Sequence, residues 1–273
     1  MILSPHHLTR RLATLALLAM LALTTACAGA SAQRPAPTSA PQKAFYEAED
    51  AFDSDNFLEA VKQYNLVRSR YPYSEFAALS ELRIADAYYA QDRFATAIEQ
   101  YRAFIKLHAN HPRVVYANWR VAESFYRQMP QDWFFMPPAY ERDLARARDA
   151  ERELSYYLRN FKASEYAPRA AKLLVIARRR LADHELYVAR FYLERDNPRA
   201  AALRLTNLLR TYPGLGLDPP ALFLLARAYL ELGDVDRAVV ALGDLIRVHP
   251  SSPLAERARR YMRAHNLRLK RQP

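Results

Sequence analysis

From residue 44 onward, apolar side chains recur three, four and seven positions apart, with few β-branched runs and no Asn-Gly or Asp-Gly hairpin signal. That period is helical and predicts helices through the rest of the chain. The pattern is also self-similar. An Ala is followed three residues on by an aromatic or Ala, nine later by a second Ala, then by an aromatic or Leu at +4 and a bulky apolar residue at +7. Four units carry it: Ala48, Ala51, Ala60, Tyr64, Val67; Ala85, Tyr88, Ala97, Tyr101, Phe104; Ala189, Tyr192, Ala201, Leu205, Leu208; and Ala226, Tyr229, Ala238, Leu242, Leu245. Paired alanines let two antiparallel helices come close, and Pro72, Pro213 and Pro250, each twelve residues after the second Ala, end the second helix.

The first alanines are 37 residues apart from Ala48 to Ala85 and again to Ala122, 67 apart from Ala122 to Ala189, and 37 apart to Ala226. A fifth unit therefore lies in the middle, with Ala122 and Phe125 on its first helix and Ala150, Leu154 and Tyr157 on its second. Its two alanines are 28 residues apart where the others have 12, so 16 residues are inserted, at 128–143, reading QMPQDWFFMPPAYERD. Three prolines bar a helix there, and Trp133, Phe134, Phe135 and Met136 require cover. The remaining excess of 14 residues predicts a long helix from Pro168 to Glu194. The units resemble tetratricopeptide repeats. The expected fold is all-α, a right-handed superhelical solenoid of about five such repeats over 44–273. Repeats fall at about 44–72, 78–112, 115–165, 168–213 and 219–250, and a terminal helix at 254–269 caps the stack with an Arg-rich face.

Ahead of residue 44 the pattern changes. Arg10 and Arg11 precede an apolar run from Leu12 to Leu23, then Thr24, Thr25, Ala26 and the sole cysteine, Cys27. A run of about a dozen apolar residues is too short to span a bilayer, and the small residues after it mark a cleavage site. Residues 1–26 thus read as an export signal. Cys27 sits where the lipobox of bacterial lipoproteins places its acylated residue, although Thr24 stands where Leu is usual. The alternative is an ordinary secretory signal with a Cys beside the cut. Ala28 in place of Asp favours the outer membrane. Residues 27–43, with Pro35, Pro37 and Pro41, read as a lipidated N-terminus and flexible tether.

Composition narrows the chemistry. With 5 glycines, phosphate loops of the glycine-cradled kind are not expected. Forty Lys and Arg, 34 of them Arg, against 29 acids give +11, which suits anionic partners. Arg-rich helices with aromatics between them could track nucleic acid, but an export signal argues against that partner. No Gly-x-Ser-x-Gly elbow or phosphate loop is present. His108 and His111 lack a third metal ligand nearby, and Asp53 and Asp55 lack the Gly and terminal Glu of a calcium loop. Neither an enzyme nor a cofactor is expected.

One stripe of each first helix, away from the alanines, faces the concave surface of a repeat array. In the first three units it carries Phe45, Glu49 and Phe52; Leu82, Asp86 and Tyr89; and Tyr116, Trp119, Glu123 and Tyr126. This is a candidate groove for an extended peptide with alternating apolar side chains, its basic groups or free amides meeting the carboxylates. The alternative is that the aromatics pack on the tether or the insertion. The last two units place Arg190 and Arg227 where the first three have carboxylates, so the stripe changes sign. With Arg204, these arginines suit an acidic partner.

The stretches RYPYSEFA at 70–77, WFFMPPAYERD at 133–143, RLADHELYVARFYLERD at 180–196 and LLRTYP at 208–213, together with the lipoprotein signal, resemble the BamD (ComL) family over essentially the whole mature chain. The resemblance implies a non-enzymatic lipoprotein of the outer-membrane β-barrel assembly machine, anchored through Cys27 at the periplasmic face of the outer membrane. Implied partners are the periplasmic domains of BamA, other lipoproteins of the machine and unfolded outer-membrane proteins. N-terminal repeats would receive precursors and C-terminal repeats would hold BamA. Arg204 occupies the place of a family Arg that faces BamA; otherwise it is a solvated helix Arg. The runner-up is another tetratricopeptide lipoprotein, an adaptor for cell-wall or division proteins, which leaves the insertion unexplained.

Overall fold

A computed structural model describes residues 36–132 and 134–267, and among these it contains eleven α-helices, one 3-10 turn and no strand. The signal segment, Cys27, the tether up to residue 35, Trp133 and positions 268–269 lie outside the described residues. The helices are α1 Ala40–Asp53, α2 Phe57–Arg70, α3 Glu75–Ala90, α4 Phe94–Leu107, α5 Val114–Arg127, α6 Ala145–Asn160, α7 Ala167–Glu194, α8 Pro198–Thr211, α9 Asp218–Glu231, α10 Val235–Val248 and α11 Pro253–Ala264. From α2 on, each helix packs against the next, as in a helical-repeat solenoid.

The alanine framework is the reason the helices can pair. All ten framework alanines, from Ala48 to Ala238, are at most 1% exposed. A larger side chain at any of them would push two backbones apart. Tyr64, Tyr101, Leu154 and Leu205 at +4 and Phe104, Tyr157, Leu208 and Leu245 at +7 are fully buried beside them.

The turns within repeats share one device. Asp55, Asp92, Asp196 and Gly233, each seven residues after the first Ala, take positive φ, and the next residue returns its N–H to the first helix: Asn56 to Ala51, Arg93 to Tyr88, Asn197 to Tyr192 and Asp234 to Tyr229. This is the Schellman closure of a helix. In the third repeat the corresponding pair is Met129 and Pro130. Proline has no N–H to give, so the closure cannot form and the insertion departs there. At the other end of each repeat, Tyr71, His108, Phe161, Tyr212 and His249 stop the second helix in the same conformation, whether or not Pro follows.

The buried residues gather into three clusters, around α1 and α2, around α3 to α6, and from the second half of α7 to α11. α7 joins the last two. Its 28 residues, about 42 Å of helix, give Ala170, Ala177 and Leu181 to one and Ala182, Leu186, Ala189 and Leu193 to the other.

Two boundaries differ from the sequence reading. α1 begins at Ala40, inside the expected tether, because the Ser39 hydroxyl caps it by accepting the Gln42 N–H while the Gln42 side chain accepts from Thr38, which makes Pro41 a first-turn proline. α11 stops at Ala264, short of 269, because Asn266 takes positive φ and Leu267 donates back to Met262. The insertion, whose placement the sequence leaves open, is anchored on α7. Asp132 accepts the Ala139 N–H at 2.8 Å and pairs with Arg180 at 2.8 Å, and His184 Nδ1 lies 2.6 Å from the Tyr140 carbonyl. Met129, Ala139 and Leu144 are the buried members, whereas Phe134 and Phe135 are 98% and 69% exposed and pack edge-to-face on each other.

Candidate functional site

The carboxylates that follow the first Ala in the first three repeats do not stand free. Glu49 on α1 accepts from the Tyr64 hydroxyl and from Arg83 on α3, whose Nε and Nη2 lie 2.6 and 3.1 Å from its two oxygens. Arg83 also reaches Asp86 at 3.2 Å, and Asp86 accepts the hydroxyls of Tyr101 at 2.5 Å and Tyr116 at 2.7 Å. Arg120 on α5 continues the chain, with Nε on the Tyr116 oxygen at 2.8 Å and Nη1 on Glu123 at 2.9 Å. Glu123 takes a second cation, Arg169 at the start of α7, at 2.6 Å. The result is a ladder of alternating charge across four helices, each rung linking one repeat to the next.

Aromatic faces complete it. Arg83 lies 3.9 Å over Phe52, Arg120 4.3 Å over Tyr89, and Arg169 5.5 Å over Trp119, which is itself stacked on Tyr166. Burial and the neighbouring carboxylates push the Tyr64, Tyr101 and Tyr116 phenols up, so they remain donors. Burial alone would lower Arg83, but the Glu49 hydrogen bonds together with the charges around it, Glu49 and Asp86 among them, outweigh burial and the guanidinium is raised. Both charges are thereby held in a setting where a lone ion would be costly.

The ten stripe residues consequently divide. Phe45, Leu82, Asp86, Trp119 and Glu123 are buried, Trp119 to 2% exposure. Glu49, Phe52, Tyr89, Tyr116 and Tyr126 are half-buried. The arginines that complete the ladder, Arg83, Arg120 and Arg169, were not among the candidates. Their signal was present in Arg83 three residues before Asp86 and Arg120 three before Glu123, the spacing of a helix ion pair.

The last two repeats are arranged differently. Arg190 is exposed and has no ion-pair partner among the described residues, and Arg227 is exposed with a one-turn bond to Glu231 at 2.7 Å. Arg204 on α8 meets Glu185 of α7 only at 3.4 and 3.5 Å, and its side chain is 42% exposed. It lies in a groove with Tyr192, exposed Leu203 and Arg210. Cation beside apolar surface is the composition of an anchoring point for a partner. His108 and His111 are occupied elsewhere, His108 Nε2 with Glu81 at 2.8 Å and His111 Nδ1 accepting the Arg113 N–H.

The family described as "YfiO: Outer membrane lipoprotein" matches residues 37–240. The outer membrane protein assembly factor BamD of Neisseria meningitidis serogroup A is 31% identical over 225 residues, covering 80% of this chain and 82% of that protein. BamD of Vibrio cholerae is 28% identical, covering 85% and 96%. Of solved structures, the TPR2AB domain of yeast Sti1 covers 83% of this chain at 14% identity with a TM-score of 0.41. With the family match spanning the first four repeats and reaching into the fifth, this chain belongs to the YfiO/BamD family of outer membrane lipoproteins.

Proposed function

We propose that the chain is a non-enzymatic adaptor of outer-membrane β-barrel assembly, lipid-anchored through Cys27 at the periplasmic face of the outer membrane. The observation that carries this reading is the family match over residues 37–240 with relatives named as outer membrane protein assembly factors. No described helix is long and apolar enough to cross a membrane; in this reading attachment is through Cys27. Two acyl chains give durable anchorage.

In this reading the C-terminal half holds the periplasmic domains of BamA, with Arg204, Arg190 and Arg227 as the cations facing an acidic surface. Arg204→Glu is expected to weaken BamA binding by about 1–3 kcal/mol, measured by titration of the purified proteins. The Glu185→Gln protein, which frees Arg204 without reversing it, is expected to bind undiminished. Unchanged affinity of Arg204→Glu at low ionic strength would remove Arg204 from the interface.

The same reading assigns contact with unfolded barrel precursors to the half-buried aromatics Phe52, Tyr89 and Tyr126, since Trp119 is enclosed. A photoreactive residue at 126 is expected to capture peptides with alternating apolar side chains. Adducts confined to the protein itself would defeat this assignment.

A further inference from the structure

The last helix has already used its apolar face. Ala255, Ala258 and Met262 of α11 are buried in the C-terminal cluster, against α9 and α10. What α11 leaves outward is charge: Arg257, Arg260 and Arg263 are exposed, and their spacing of three keeps them on one side of the helix. From Pro253 to Pro273 the sequence holds six Arg and Lys270 against the single acid Glu256. Glu256 is divided among Arg259 at 3.2 Å, Arg263 at 3.7 Å and Arg260 at 3.8 Å, so one negative charge serves three positive ones. Arg257 lies 4.8 Å over the Phe223 ring and meets no carboxylate among the described residues.

We propose that the outward face of α11 binds the surface of a bilayer bearing anionic phospholipid headgroups. A specific protein interface has an apolar core from which charge is depleted. No large apolar side chain of α11 is exposed, so this face offers cations without such a core. A headgroup layer asks for nothing more: clustered Lys and Arg are drawn to the potential of anionic lipids, and the phosphates rearrange laterally to meet them. The contact needs no acyl chain and is therefore separate from the anchor at Cys27.

The test uses the full chain exported as Cys27→Ser, mixed with phosphatidylcholine vesicles with or without about 30% phosphatidylglycerol. Co-sedimentation is expected with the anionic vesicles alone, and to disappear as salt is raised to about 0.5 M. The triple variant Arg257→Gln, Arg260→Gln, Arg263→Gln, with its helical circular dichroism checked, is expected to bind at least about tenfold more weakly. The corresponding triple Lys variant keeps the charge and is expected to bind as the parent does. Equal binding to neutral vesicles would overturn the proposal, as would full binding by the Gln variant or loss of binding in the Lys variant. Retention by acidic proteins with no vesicle binding would assign the face to a protein partner and overturn it equally.

Discussion

Repeats one to three and repeats four and five share a backbone but differ at the residue after the first Ala. In the first group it is Glu49, Asp86 or Glu123, drawn inward and bonded across the repeat boundary; in the second it is Arg190 or Arg227, turned to solvent. The second helix explains the difference. Tyr64 and Tyr101 bring buried hydroxyls that need an acceptor, and the acid supplies it. Leu205 and Leu242 at the same place ask for none, so the facing position is free to carry a cation outward. The third repeat is intermediate: Leu154 replaces the tyrosine, yet Glu123 is retained by two arginines. One architecture thus yields a half fastened by buried charge and a half whose Arg190 and Arg227 face solvent.

Breaking the ladder has the largest expected effect. Asp86→Ala leaves the Tyr101 and Tyr116 hydroxyls without their acceptor and Arg83 with Glu49 alone, and a loss of about 3–5 kcal/mol is expected in denaturant unfolding. A loss below about 1 kcal/mol would mean that the ladder holds nothing together. At the other extreme, Arg227→Ala, which removes a solvated pair on α9, is expected to stay within about 0.5 kcal/mol of the parent. A large effect there would erase the distinction between the halves.

Much of the fold was legible because its signal repeats. The paired alanines, the 37-residue interval and the excess in the third unit locate the helix pairs, the insertion and the long α7. The candidate site was less so. Glu49, Asp86 and Glu123 stood out as a stripe, but helix geometry alone does not reveal that the following repeat aims Arg83 at Glu49 and Arg169 at Glu123. That requires the offset between neighbouring repeats, a tertiary quantity. The placement of the insertion was not legible for a similar reason: Phe134 and Phe135, which require cover, stay exposed, while Tyr140 and Ala139 take the places against α7. The cap at Ser39 was readable in the sequence, but Pro41 beside it fits a tether as well as a first helical turn.

The claim that the ladder makes the first three repeats one mechanical unit is tested most directly by native-state hydrogen exchange on the Asp86→Ala protein. The expected result is that amides in α1 to α6 lose protection together while those in α8 to α10 keep the parent's rates. Loss confined to α3, or spread evenly through α10, would contradict it.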